Sequence, residues 1–242
     1  MNVELVFTFY ELKRKAARGK LCIVIDSLRA ASSIIAALDA DCKEVVPAVS
    51  IKEAYRLQGF PSYQNYLLCG EIGGLRPEGF VLGNSPLDYQ AAAIRGKGII
   101  MATTNGTRAL RLTAGAKLVL VAALINAKAV AMRLTDCDGD LLICCAGTKG
   151  EFSIEDFVTA GKLVHELYQC RSDILADDAT LSAYQLYLKA GSNKQGLVDL
   201  FCSGNNGKRL IELDLVEDIE FCAVEDQFTI VPYFDGIACR KD

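Results

Sequence analysis

The sequence is poor in histidine: His165 is the single imidazole in 242 residues. That scarcity excludes a zinc site of His-bearing spacing, a dinuclear centre built on imidazoles, and a phosphohistidine mechanism, which needs a nucleophile in an R-H-G context and a second histidine. His165 falls in a helical stretch, where a structural role is expected. Among the ten cysteines there is no C-x-x-C pair, and none begins a C-x-x-x-x-x-R loop. Paired-thiol metal sites and that class of thiolate nucleophile are therefore excluded, and free, buried thiols in a reducing cytoplasm are expected. Basic residues are not in excess: 26 against 30 acidic give a net charge of −4, well mixed along the chain. No nucleic-acid partner is expected, so an anionic ligand has to be held by local charge. Apolar runs such as 118–125 fall far short of the ~20 residues of a membrane-spanning helix, and the start of the sequence lacks the regions of a signal peptide. No membrane partner is expected. Nor is there a proline-rich or low-complexity linker, so residues 1–242 read as one domain, with the neighbourhood of 136 as the candidate subdivision. A homo-oligomer is left open.

What is present is apolar and periodic. Hydrophobic residues make up 51%, enough for a substantial core. Residues 21–25 form a short β-branched apolar run, and 28–38 carry helical spacing and alanine, which reads as strand, turn, helix. A strand at 44–47, Ser50 as N-cap and a helix over 51–57 repeat the unit. The cadence returns with a strand at 98–102, a polar turn at 103–107, a helix over 107–112, a strand at 117–122 and a helix capped by Asn126. The likeness of VVPAVSIKEA to LVAALINAKAV raises an internal duplication into two similar packed halves. A fifth strand at 140–145 enters a glycine loop, 146–152. The helix that follows has a capping box, in which Ser153 accepts from the Asp156 amide and the Asp156 carboxylate reaches back. Further helices are expected around 179–190, a polar loop at 203–208, and short strands near 220–224 and 229–232. Alternating helices and buried strands predict a three-layer α/β/α fold with a largely parallel sheet.

Ligands of open α/β sheets bind beyond the carboxyl ends of strands, which directs attention to the residues after Ile25, Met101 and Cys145. Asp26 and Arg29 bring a carboxylate and a guanidinium to the first of these; an N-cap aspartate with a surface arginine is the competing reading. ATTNGTRAL supplies Thr104, Asn105, Gly106 and Thr107 between a strand and a helix, where amides and hydroxyls form an anion-binding nest. It lacks P-loop spacing, and polar turns of this kind are common. In CGEIGGLRPEGFVLGNSP, Ser85 and Pro86 read as a helix start, which leaves Glu71 and Asn84 without a structural reason. AGTKGEFSIED places Lys149, Glu155 and Asp156 around a glycine loop, although a capping box also favours the acids. D-x-D-x-[TV] does not occur, and oxygen ligands without imidazole select a hard cation such as Mg²⁺.

Taken in order, VIDSLRAASSI (24–34), GEIGG (70–74), GFVLGNSP (79–86), TTNGTRA (103–109) and CAGTKGEFSIEDFVTAG (145–161) resemble the 2-phosphosulfolactate phosphatase family over about residues 20–165. The resemblance implies an α/β fold of the family's own type, Mg²⁺ dependence, and hydrolysis of the phosphomonoester of a three-carbon sulfonated hydroxy acid in coenzyme M synthesis. On this basis Asp26, Arg29, Glu71 and Asn105 are the candidate catalytic residues. Asn84, Ser85, Arg76, Thr104, Gly106, Thr107 and Lys149 are candidate substrate ligands, and Asp26, Glu71, Glu155 and Asp156 candidate Mg²⁺ ligands. Ile72 and Val81 stand where the family commonly has arginine and aspartate. Either Arg76 supplies the missing guanidinium, or the substrate is another small phosphorylated hydroxy acid. A non-catalytic anion-binding protein of the same fold is the alternative from a different class.

Overall fold

A computed structural model describes residues 1–12, 14–191 and 193–241. Its strands are β1 (Asn2–Val6), β2 (Leu21–Ile25), β3 (Glu44–Ala48), β4 (Leu67–Gly70), β5 (Gly98–Ala102), β6 (Leu118–Ala122), β7 (Leu141–Cys145), β8 (Leu175–Ala176), β9 (Tyr233–Phe234) and β10 (Cys239–Arg240). They join in one ten-stranded sheet, in the order β4-β5-β3-β10-β9-β6-β2-β7-β1-β8. The helices are α1 (Arg14–Ala17), α2 (Ala30–Asp39), α3 (Ile51–Gln58), α4 (Ala91–Ile94), α5 (Gly106–Leu112), α6 (Ala127–Arg133), α7 (Ile154–Cys170), α8 (Asp178–Ala190), α9 (Lys194–Ser203), α10 (Asn205–Glu212) and α11 (Val216–Cys222).

Because successive side chains of a strand point to opposite faces, an all-apolar strand must be covered on both sides. β2 shows this directly. Cys22 and Val24 join the core under α2 and α5, while Leu21, Ile23 and Ile25 join the core under α6, α7 and α8. In β5, Ile99 and Met101 face the first core, and Ile100 and Ala102 face a smaller one with Ala54 of α3. The result is the three-layer α/β/α arrangement that the sequence predicts, with a mostly parallel sheet.

The sheet is parallel in two blocks, β4-β5-β3 and β6-β2-β7-β1-β8. The hairpin β9–β10 lies between them, pairing antiparallel with β6 through Tyr233 and with β3 through Cys239. α5 packs on both β2 and β3, and α2 on both β3 and β6, so these two helices bridge the seam. The turns that open them, after β2 and after β5, are thereby brought to one crevice.

The part after residue 200 departs from the sequence reading. The stretch 203–208 is not a polar loop but the corner between α9 and α10: Gly207 and Leu210 are buried at helical spacing, and the polar letters face solvent. Residues 220–224 are helix and turn rather than strand, because Asp218, Ile219 and Cys222 form the buried stripe of α11. Pairing near 229–232 begins later, at Tyr233. Helices α8 to α11 share a core of their own, built on Phe201, Leu210, Ile219 and Tyr187, and that core also takes in Leu28. Leu28 lies between Ser27 and Arg29, so burying it, worth about 2 kcal/mol, fastens the helical cap to the turn after β2. Among the described residues no helix is long and apolar enough to cross a membrane. All ten cysteines are free, most of them buried.

Candidate active site

Asp26 is the first residue after β2. Its Oδ1 accepts the Ala30 amide at 3.0 Å, which ties it to the first turn of α2. Behind it, Gly106 approaches so closely that a Cβ there would stand 2.6 Å from Asp26 Oδ2. Asp26 is 6% exposed. Burial pushes its carboxyl up to about 7, Glu71 and Glu155 add repulsion, and the Ala30 and Gly106 amides offset part of the rise. Asp156 is also raised, by burial and by Asp26 and Glu155, and Glu155 is raised by burial. Three acids thus share one region, and among the described residues no ion pair to them is seen.

Glu71 is positioned by glycine. Gly70, at φ 133°, ends β4 so close to β5 that a Cβ would lie 2.0 Å from the Ala102 carbonyl oxygen. The next residue therefore points across the turn after β5. There Glu71 Oε1 accepts the Thr104 amide and hydroxyl, both at 2.8 Å, and Oε2 accepts the Gly74 amide at 2.7 Å. A carboxylate oxygen has two lone-pair directions, so Oε2 retains one open position.

Asp26 and Glu71 line a cavity of about 290 Å³ together with Arg29, Asn84, Thr104, Asn105 and Lys149. These expected residues, drawn from five sequence motifs, are brought together. Asn105 Oδ1 accepts the Lys149 amide at 3.1 Å, which leaves its own side-chain amide for the cavity. Lys149 sits at φ 54°, a left-handed conformation that costs a non-glycine residue about 1–2 kcal/mol. It is held at the mouth of the cavity.

Several expectations need correction. Arg29 does not extend freely into the cavity: it is 4% exposed, Nη1 donates to Asp218 at 2.5 Å and Nη2 to the Gly74 carbonyl at 2.7 Å. Thr104 presents no unpaired amide, since both its donors serve Glu71. Thr107 is buried with its hydroxyl on the Thr103 carbonyl, and Gly106 acts by its lack of a side chain. Ser85 stands at the N-cap of the short 3-10 helix Pro86–Asp88, as expected, but its side chain caps nothing: its hydroxyl donates to Asp218 Oδ1. Arg76 borders an adjacent hollow and donates to the Val81 carbonyl at 2.9 Å. Asn126 caps no helix with its side chain, which instead accepts the Ala123 amide. Ser153 accepts from the Asp156 amide as expected, but the Asp156 carboxylate turns away to take the Ser27 and Gly147 amides at 2.9 and 3.0 Å. Glu155 and Asp156 lie behind the cavity wall. His165 lies in α7 against Tyr184 and Tyr187, away from the site.

The model of the 2-phosphosulpholactate phosphatases matches residues 7–236. The chain belongs to that family. The phosphatase is 39% identical over 238 residues to a protein of Clostridium tetani, covering 98% of this chain and 99% of that one. It is 40% identical over 225 residues to a protein of Caldanaerobacter subterraneus, covering 93% and 92%. It is 38% identical over 216 residues to a protein of Symbiobacterium thermophilum, covering 89% and 91%. All three carry the name probable 2-phosphosulfolactate phosphatase. As a member of this family the chain is a phosphoric monoester hydrolase.

Sequence reasoning missed the part of the phosphatase cavity that comes from α10, namely Asn206, Arg209 and Leu210, and missed Asp218 of α11. The buried spacing of Gly207 and Leu210 was the available signal for α10. Nothing local distinguishes Asp218 from other acids on a helix.

Proposed function

We propose that the chain hydrolyses 2-phosphosulfolactate to sulfolactate and inorganic phosphate with Mg²⁺ as cofactor, in the cytoplasm, as a step of coenzyme M synthesis. The observation that carries this reading is Asp26, a buried carboxylate with a raised pKa on the wall of a small cavity whose mouth presents Lys149 and the side-chain amide of Asn105.

The donor set fits Mg²⁺. This hard ion takes oxygen ligands and is commonly bound by one or two carboxylates, with substrate phosphate and water completing its shell. Asp26 and Glu71 would hold it, Glu71 through the open position on Oε2. Among the described residues no three carboxylate, thiol or imidazole groups converge to hold a metal by themselves, so the reading requires substrate and water to complete the shell. Glu155 and Asp156 contribute charge from behind. When bound, Mg²⁺ neutralises phosphoryl oxygens and the repulsion among these acids.

Phosphoryl transfer needs positioning and charge stabilisation above all. Lys149 and Asn105 Nδ2 receive the phosphoryl oxygens, and Asp218 and Gly74 hold Arg29 beside them. Asp26 is the reacting carboxylate. The stereochemical course at phosphorus assigns its step: with a phosphoryl group made chiral by oxygen isotopes, retention marks two in-line displacements, first by Asp26 and then by water on the aspartyl phosphate, and inversion marks one displacement by a water whose proton Asp26 removes.

Phosphate release from 2-phosphosulfolactate, measured with Mg²⁺ and with EDTA, tests the proposal. Mg²⁺-dependent release is expected, and Asp26→Asn is expected to lower kcat by at least ~10³. Full activity in EDTA would defeat the Mg²⁺ assignment. No release from this ester or other phosphorylated hydroxy acids, by a folded protein that binds phosphate, would favour an anion-binding role.

A further inference from the structure

Among the described residues, three hollows share residues with the cavity: one has Arg29, Gly74 and Asn84 in common with it and holds Arg76, whose guanidinium is on the Val81 carbonyl, and the other two differ in their chemistry. On one side Glu71, Ile72, Thr103 and Thr104 are shared with a hollow of about 390 Å³ whose other lining residues are Val49, Ser50, Ile51, Lys52, Ala102 and Arg108. On the other side Thr148, Lys149, Asn206 and Arg209 are shared with a hollow of about 410 Å³. Every residue lining this second hollow is polar or charged. Its cations are Lys149, Lys208 and Arg209, its anions Glu151 and Glu212.

We infer that Arg209, assisted by Lys208, reads a second strong anion on the substrate, borne on the carbon next to the phosphoester, and so sets specificity for a sulfonated ester. The inference rests on the phosphatase reading and extends it to a residue in the helical cap. Its support is placement. Arg209 lies on α10 beside Leu210, which is 1% exposed in the cap's core. The preceding Asn206 donates its side-chain amide to the Leu28 carbonyl, next to Arg29. The backbone beneath Arg209 is therefore fixed against the catalytic turn while its guanidinium stays exposed. Its existing partner, Glu212 at 3.1 Å, is an exposed i,i+3 neighbour. Such pairs are weak, so exchanging Glu212 for a buried-side anion costs little. A guanidinium also matches the paired oxygens of a sulfonate in a bidentate way that an ammonium cannot. Ile72, 62% exposed and shared with the hollow that Arg108 lines, offers an anion nothing.

The test compares kcat/KM for two esters that differ only at this group, 2-phosphosulfolactate and 2-phospholactate, in which a methyl group replaces the sulfonated methylene. The parent protein is expected to prefer the sulfonated ester. In Arg209→Gln the ratio of the two values is expected to fall about 10- to 100-fold, the worth of one charge-assisted contact, and Lys208→Gln is expected to reduce it less. Arg108→Gln, in the hollow shared with Ile72, is expected to keep the parent's ratio. An unchanged ratio in Arg209→Gln, or a ratio lost in Arg108→Gln, would overturn the inference. Release from neither ester by the parent would instead defeat the phosphatase reading, and the inference with it.

Discussion

At the scale of the residue, Asp26 sits where its charge is disfavoured, and this has a measurable sign. An unfolded aspartate loses its proton near pH 4, whereas in the folded protein the group holds it up to about 7. Between these values the folded state binds more protons than the unfolded one, so stability is greatest at the acid end and falls as pH rises through the window. The loss for Asp26 reaches about 4 kcal/mol above pH 7, and Asp156 and Glu155 act in the same direction. Asp26→Asn keeps an acceptor for the Ala30 amide and removes the charge. In EDTA it is expected to raise Tm by about 10 °C at pH 8 and by about a third of that at pH 5, and with Mg²⁺ present it is expected to abolish turnover. Thermal unfolding at the two pH values checks this, and equal Tm for variant and parent at pH 8 would show that the carboxylate is not strained. Mg²⁺ is expected to raise the parent's Tm at pH 8 and to do little for Asp26→Asn, a readout independent of catalysis.

At the scale of the element, the turns after β4 and β5 act as one unit because Glu71 accepts three donors from both. Thr104→Val removes the hydroxyl contact and keeps the backbone one. It is expected to cost about 1–2 kcal/mol in urea unfolding and to lower kcat/KM about tenfold through a misplaced Glu71, with Thr104→Ser restoring both. Activity unchanged in the valine variant would mean that the clamp has no bearing on catalysis. Such units also mark how far the sequence was readable. Asp26, Glu71, Asn84, Asn105 and Lys149 stood out because they are polar residues following buried strands or lying among glycines, where strand-end geometry places ligands. The pairing of Glu71 with Thr104 was not legible, since it joins positions 33 residues apart and depends on the tightness of Gly70. The partner of Arg29 was still less so, being 189 residues away on α11. The strands and helices up to α7 were largely legible from apolar period. The cap helices were not, because α10 and α11 are short, with long polar faces that imitate loop.

At the scale of the whole molecule, the hairpin β9–β10 closes the gap between two parallel blocks. Without it β3 and β6 would each expose an unpaired edge, the arrangement that most readily recruits other chains. A chain truncated after residue 232 is expected to lose cooperative thermal unfolding and to aggregate, as calorimetry and light scattering would report. A sharp transition at the parent's Tm would show that the blocks are held by α2 and α5 alone. The same hairpin governs the order of events in self-assembly. Arg240 grips Glu44 across 196 residues, so the contact that seals the seam also closes one of the longest loops in the chain. Long loops close late and slowly. A refolding chain in which the hairpin docks after the blocks are built carries their inner edges open. At that stage concentration, rather than stability, is expected to decide between the native fold and entangled multimers.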